Sequence, residues 1–374
     1  MSDSTGIKGS TMKLQVTQEN LNRALGTVAR VANSRNALPI LANILVKTVN
    51  NRLSVAATNL DIAITQYIGA KVSQEGSVTV PARLMQDFVS SLPAGVIDLE
   101  LEETKLRIKT DQYKSVVNGI AADDFPVMPA IENGTSWKIG GLILKKALQQ
   151  VAFAASNDES RPVLTGVFLH TVEGRLYMAA TDSYRLAEKD LGPNDQDIQL
   201  LIPVSAMQDL LRIVSDFSED VEVTHDEQQV LFRVGDVDLV ARLIEGKYPD
   251  YRKLIPAAFS TQAQLKRADF INVTKVSSLF ARESAGSVTV EVDDASGELR
   301  IHAVASQLGE NDASAKGDIK GSGSITLNSR YLLDGLQAFG GESVSFCFNG
   351  KLEATLLQDL TADDYTHIIM PLKS

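Results

Sequence analysis

Four histidines, one cysteine and three pairs of adjacent aspartates are the residues of this chain best suited to bond-making chemistry. His170, His225, His302 and His367 are scattered, without the short spacing that metal ligands on one element show. Cys347 stands between Phe346 and Phe348 in an alternating run, the setting of a buried thiol rather than a nucleophile. Asp123-Asp124, Asp293-Asp294 and Asp363-Asp364 offer carboxylates to a cation. Two of these pairs directly precede an aromatic residue, Phe125 or Tyr365, where aspartate serves a turn through its own local hydrogen bonds. Glycine-rich phosphate loops, dinucleotide fingerprints, H-E-x-x-H and G-x-S-x-G are all missing from the sequence. This reading predicts no catalytic residue, no metal site and no cofactor, hence a binding protein rather than an enzyme.

The chemistry that remains is electrostatic. A formal charge of −11, from 36 basic and 47 acidic residues, argues at first against a nucleic-acid partner, whose phosphates need Lys and Arg. Distribution matters more than the average. Arg23, Arg30, Arg83, Lys145, Lys146, Arg212, Lys275 and Arg330 all fall on predicted helices, off the apolar stripe or at its margin. Their recurrence on equivalent helices predicts a shared basic surface, one that holds DNA by its phosphates without reading bases.

The elements that carry these residues repeat. Asn51-Arg52-Leu53-Ser54-Val55-Ala56-Ala57-Thr58 returns 123 positions later as Gly174-Arg175-Leu176-Tyr177-Met178-Ala179-Ala180-Thr181, and again 123 later from Gly297 to Val304. Each copy is a turn residue followed by alternating apolar side chains, the pattern of a half-buried strand. The middle copy alone is read as continuing into a distinctive segment, Asp182-Ser183-Tyr184-Arg185-Leu186. A first helix is predicted from Thr17 to Arg30, with Thr17 as cap and Leu21, Leu25, Val28 and Ala29 as its apolar stripe. Leu144, Leu148, Val151 and Ala152 repeat that stripe; Phe270, Ile271, Val273 and Val276 mark a looser third version. A second helix follows Pro81, Pro203 and Asn328 in turn, with each proline placed in the first helical turn.

Beyond an 11-residue extension, read as disordered, the remaining 363 residues make three units of 121. The expected domains are 12–132, 133–257 and 258–374, each of class α+β with antiparallel sheets. No apolar run reaches the roughly 18 residues of a membrane span, and the start lacks a signal-peptide core, so no membrane partner is expected. A single cysteine suits a reducing cytosol.

Leu38-Pro39-Ile40-Leu41-Ala42-Asn43, Thr79-Val80-Pro81-Ala82-Arg83, Ala180 to Ala187, Tyr248-Pro249-Asp250-Tyr251 and Met370-Pro371-Leu372 together resemble one family, the bacterial sliding clamps, beta subunits of DNA polymerase III. The resemblance covers Met12 to Ser374. It implies three tandem DNA-clamp domains and a head-to-tail homodimer closed into a ring, sheets outside and helices lining the hole. Such a ring encircles double-stranded DNA without sequence preference and works in the cytoplasm, on nucleoid DNA. Its implied partners are the replicative polymerase, the clamp loader, repair polymerases and other proteins carrying a clamp-binding motif. By position, a pocket for their peptides would be walled by Leu164, Thr181, Ser183, Tyr184, Arg185, Leu186, Pro249, Leu254, Tyr331, Ile368, Ile369, Met370, Pro371 and Leu372. Apolar walls would take leucine and aromatic anchors, while Thr181, Tyr184 and Arg185 would fix the peptide backbone. Arg35 and Arg161 match DNA-contacting loops. Lys114, Ser115 and Val117 on one strand, and Leu279 and Phe280 on the third domain, match the dimer seam.

Overall fold

The computed structural model describes residues 11–32, 38–214, 219–307 and 309–373. Arg35 and the extension up to residue 10 lie outside the described residues, and Thr11 already belongs to the first strand, Thr11–Thr17. That strand buries Met12, Leu14 and Val16 and exposes the residues between them, as its alternation predicts. Six helices are described: α1 Gln18–Val28, α2 Ala82–Ser91, α3 Gly141–Val151, α4 Val204–Ile213, α5 Arg267–Phe280 and α6 Ser329–Ala338. All the strand pairs are antiparallel, so the α+β class stands.

Caps start the helices where the sequence places them. Thr17 Oγ1 accepts the Asn20 N–H at the head of α1, and Asn328 Oδ1 accepts the N–H groups of Arg330 and Tyr331 at the head of α6. The prolines act differently from expectation. Pro81 and Pro203 are the last residues of strands Ser77–Pro81 and Gln199–Pro203, and the helices begin one residue later. Both strands lie at the edge of their sheets, where a residue without an N–H leaves no ladder bond unmade.

Two compact units emerge. One comprises the chain up to Gly141 with Arg212–Arg242; the other comprises Leu142–Leu211 with Leu243–Ser374. The first holds a five-stranded sheet, ending in strand Lys114–Asn118, and an eight-stranded sheet. In the latter, Ile62–Gly69 pairs with Val237–Arg242, from Gln66 opposite Val237 to Ile62 opposite Ala241. The second holds one sheet of twelve strands, in which Arg185–Pro193 pairs with Tyr365–Ile369. These two ladders join strands of successive sequence repeats, which is why the compact units cut across the middle repeat.

Two-residue turns, Asn50-Asn51 and Glu173-Gly174, close the hairpins between Val49 and Arg52 and between Val172 and Arg175. All four turn residues have positive φ, from 49° to 74°, the type that matches the twist of a tight hairpin. The repeated strand that follows each turn is therefore set by the turn as well as by its apolar pattern.

Within the first unit α1 buries Leu21, Ala24, Leu25 and Val28 against Arg52–Thr58, Ile62–Gly69 and α2. The third copy of this helix departs from the sequence reading. In α5 the buried face is Phe270, Thr274 and Ser277, whereas Val276 is 46% exposed. Thr274 Oγ1 donates to the Phe270 carbonyl at 2.7 Å, and Ser277 Oγ to Asn311 Oδ1 at 2.9 Å, so both hydroxyls are satisfied where they are buried. Leu25→Ala is expected to cost about 2–5 kcal/mol of unfolding free energy, and Val276→Ala to stay within about 0.5 kcal/mol. Urea denaturation of the two variants checks the faces assigned to α1 and α5.

Candidate functional site

The segment after strand Arg175–Thr181 turns back on itself through hydrogen bonds supplied by two side chains. Thr181 Oγ1 donates to the Arg185 carbonyl at 2.6 Å and accepts the Ser183 N–H at 3.1 Å. Asp182 Oδ1 accepts the N–H groups of Tyr184 and Arg185, each at 2.9 Å. Ser183 sits at φ 77°, the left-handed region, and the turn leaves Tyr184 57% exposed. The terminal segment runs alongside: the Met370 N–H donates to the Tyr184 carbonyl and the Leu372 N–H to that of Thr326, both at 2.8 Å.

Behind the turn is an apolar cluster. Leu164, Leu186 and Ile368 meet in it with Leu201, Tyr248 and Tyr251, and Met370 packs half-buried against it. Ile369, the next residue along the strand, is fully buried outside this cluster, as strand alternation requires. Pro249 and Leu254 are exposed, Leu254 at 60%, while Tyr331, Pro371 and Leu372 are half-buried. Val163, Phe168 and Ile244 also join, although the pattern of apolar residues does not single them out. For Val163 a signal existed: the repeated Pro39-Ile40-Leu41 and Pro162-Val163-Leu164.

Arg185 is committed to holding the site together. Its Nε donates to Asp182 at 3.0 Å, one terminal nitrogen to Asp334 on α6 at 2.6 Å, and the other to the Phe153 carbonyl at 2.8 Å. The guanidinium also lies 4.5 Å over the Tyr331 ring and 5.3 Å from that of Phe153. With Thr181 engaged in the turn as well, Tyr184 is the one of the three expected backbone-fixing residues whose side chain stands free among the described hydrogen bonds. Arg185 instead lines a cleft of about 420 Å³ with Phe153, Asn157 and Asp334, joined there by Gln149 of α3, Gln208 of α4 and Arg330 of α6.

The segment from Tyr248 to Leu254, which adds Tyr248 and Tyr251 to the apolar cluster, is fixed by a polar chain. Tyr251 donates its hydroxyl to Glu188, and Arg252 Nε donates to the same carboxylate at 2.9 Å. His170 Nε2 lies 2.6 Å from the Tyr251 oxygen, and because that hydroxyl is already donated, the imidazole is the donor. Burial, with Arg252 nearby, lowers the His170 pKa to about 4, and burial together with Glu188 pushes the Tyr251 phenol well above its ordinary value. The Arg252 guanidinium stacks 3.8 Å over Tyr177.

The basic residues lie on the helices as read, except Arg30: α1 ends at Val28, with the Ala29 N–H closing its last turn on Leu25, so Arg30 falls in the turn beyond. Arg23, Arg30, Arg83, Lys146, Arg212, Lys275 and Arg330 are exposed and Lys145 is half-buried. Arg23 pairs with Glu19 one turn earlier at 3.2 Å, Lys146 approaches Asp364 at 3.7 Å, and Arg161 donates to Ser183 Oγ at 2.8 Å. In the strand Lys114–Asn118, Lys114 is exposed and Ser115 half-buried. Val117 turns into its own core at 6% exposure, leaving Val116 outward at 51%. Leu279 is 49% exposed and Phe280 half-buried at the end of α5. Among the described residues no group of histidine, cysteine, aspartate and glutamate has the geometry to hold a metal ion. Cys347 is buried, and burial raises its thiol pKa.

Models of the DNA polymerase III beta subunit match this chain in three consecutive pieces: the N-terminal domain over residues 12–129, the central domain over 138–250 and the C-terminal domain over 252–373. A beta sliding clamp of Synechocystis sp. is 31% identical, over 97% of this chain and 99% of its own length. That of Staphylococcus epidermidis is 29% identical, over 97% and 100%. The solved DNA polymerase sliding clamp of Bacillus subtilis is similar at a TM-score of 0.93 and 27% identity, covering 98% of this chain and 100% of that one. A Pseudomonas aeruginosa sliding clamp bound to griselimycin gives 0.92 and 25%, covering 97% and 100%.

The buried imidazoles make stability depend on acid. In the unfolded chain His170 takes up its proton near its ordinary pKa of 6.5, whereas in the fold it does so only near 4. Between these values the unfolded state binds more protons, so unfolding free energy falls as pH drops from 6.5 to about 4. His367, lowered to about 3 by burial, adds to the loss with the same sign. His170→Gln is expected to remove up to about 1.4 kcal/mol per pH unit of this slope in denaturant titrations; an unchanged slope would contradict the buried-imidazole assignment.

Proposed function

The chain belongs to the DNA polymerase III beta subunit family, the sliding clamps, which are non-catalytic processivity factors, and from that premise we propose that two copies close head to tail around duplex DNA. The ring slides along DNA and tethers the replicative polymerase, with clamp loader and repair polymerases as further partners. Each subunit carries three domains with boundaries near 132 and 257. The exposed cations of the helices, Arg23 and Arg330 among them, face the phosphate backbone and hold it weakly enough to permit sliding.

The observation that carries the ring is a pattern of strand pairing. Ile62–Gly69 pairs with Val237–Arg242, and Arg185–Pro193 pairs with Tyr365–Ile369. The third members of the two series are Gly309–Lys320 and Lys114–Asn118. Along Gly309–Lys316 the first of these is paired on one side by Glu298–Ala305, and among the described ladders its other side is open. Among the described ladders Lys114–Asn118 ends its sheet, bonded only to Lys105–Lys109. An open edge of this kind is a template for another chain. Pairing Lys114–Asn118 of one copy with Gly309–Lys316 of a second repeats the two internal ladders once more. Val116, outward on that strand, and Leu279 are the apolar groups available to the seam.

Partners dock at the turn Thr181–Leu186 beside the cluster of Leu164, Leu186, Ile368 and Met370. The apolar cluster receives leucine and aromatic side chains of an extended peptide, and Tyr184 covers them. Deleting Met370 to Ser374 is expected to abolish binding of a Gln- and Leu-containing polymerase peptide in fluorescence anisotropy while leaving the mass of the dimer unchanged; retained affinity would refute the docking site. After loading by a clamp loader, the protein should remain on circular DNA and leave once that DNA is linearised. Equal loss from both forms would refute encirclement.

A further inference from the structure

The turn that forms the partner site is built twice. Thr58 Oγ1 donates to the Ile62 carbonyl at 2.9 Å and accepts the Leu60 N–H at 3.0 Å, as Thr181 does with Arg185 and Ser183. Asn59 Oδ1 accepts the N–H groups of Asp61 and Ile62 at 3.1 and 2.8 Å, the part Asp182 plays for Tyr184 and Arg185. Leu60 has φ 81° where Ser183 has φ 77°. The Arg242 N–H donates to the Asp61 carbonyl at 2.9 Å, as Met370 does to Tyr184. Across one interval of 123 positions the backbone of this turn thus repeats bond for bond, although the residues Asp182-Ser183-Tyr184-Arg185 do not recur in it.

Beside this first turn is a cavity of about 180 Å³. Leu60, Ile62, Pro126, Val127 and Val240 give it an apolar lining, and two of them face solvent, Leu60 at 50% and Val127 at 95% exposure. Its polar groups differ from those of the other site. Arg242 occupies the place of Met370, is exposed, and makes no ion pair among the described residues. Gln229 also lines the cavity, and its Oε1 is buried with no hydrogen-bond donor in reach. A buried acceptor without a donor is unfavourable, and an unpaired guanidinium beside an apolar hollow matches a carboxylate.

We propose that this cavity is a second docking site, which takes a short extended segment of a partner protein carrying an aliphatic side chain next to an acidic residue. The aliphatic group enters between Leu60, Ile62 and Val240. The carboxylate meets Arg242, and a backbone N–H of the segment donates to the exposed Asp61. The site differs from the one at Thr181–Leu186 in its preference, because a cation replaces the thioether at its wall.

The test uses the full chain with labelled leucine, isoleucine, valine and methionine methyl groups, titrated with the peptide acetyl-Gly-Leu-Asp-Gly-amide and followed by NMR. Saturable shifts of the Leu60, Val127 and Val240 methyls are expected. Arg242→Glu should weaken them about tenfold, as should exchanging the peptide's Asp for Asn. Deleting Met370 to Ser374 should leave them unchanged, which separates this site from the proposed polymerase site whatever happens there. Shifts confined to Leu186 and Met370, no saturation at Val127, or equal binding by Arg242→Glu would each overturn the proposal.

Discussion

A strand edge with unpaired backbone groups is a template for another strand, and the pairing of such edges organises the molecule. Two of the repeats achieve it inside the chain, by pairing Ile62–Gly69 with Val237–Arg242 and Arg185–Pro193 with Tyr365–Ile369. Each ladder does more than join repeats. It brings the turn that precedes one strand next to the end of the other, so that Met370 bonds Tyr184 and Arg242 bonds Asp61. Both proposed docking sites therefore lie beside the ladders that satisfy those edges.

The polar groups at the better-built junction show how much of its chemistry is structural. Arg185 spends its donors on Asp182, Asp334 and Phe153, and Thr181 is spent on the turn. Glu188 receives both Tyr251 and Arg252, which fixes the segment that carries Pro249 and Leu254. What faces outward is Tyr184, Pro249 and Leu254 beside a cleft whose lining is largely polar, with the apolar cluster buried behind them. A surface of that kind binds through fit and burial, with its rigid shape prepared in advance.

Much of this was readable in sequence because the repeat made weak signals mutually supporting. The 123-residue spacing located the hairpin strands, and Thr17 and Asn328 marked helix starts through their short polar side chains. Other features depended on contacts far apart in the chain. Asp334 lies 149 positions from Arg185, so nothing local reveals that the guanidinium is engaged. Thr274 and Ser277 are polar yet buried, because Phe270 and Asn311 accept their hydrogens, and an apolar stripe misses such a face. Leu60 conceals the first turn most effectively: a leucine at positive φ carries none of the residue preferences by which left-handed turns are recognised. Val117 shows a related limit, since a strand pattern gives alternation but not which side meets the core.

The central claim is that the open edges of Lys114–Asn118 and Gly309–Lys316 are closed by a second copy. Light scattering during size-exclusion chromatography, over a wide concentration range, tests it most directly. The account predicts a mass twice the 40.4 kDa of the chain, lost when Val116 is replaced by Asp on the Lys114–Asn118 edge. A single-chain mass at every concentration would contradict it.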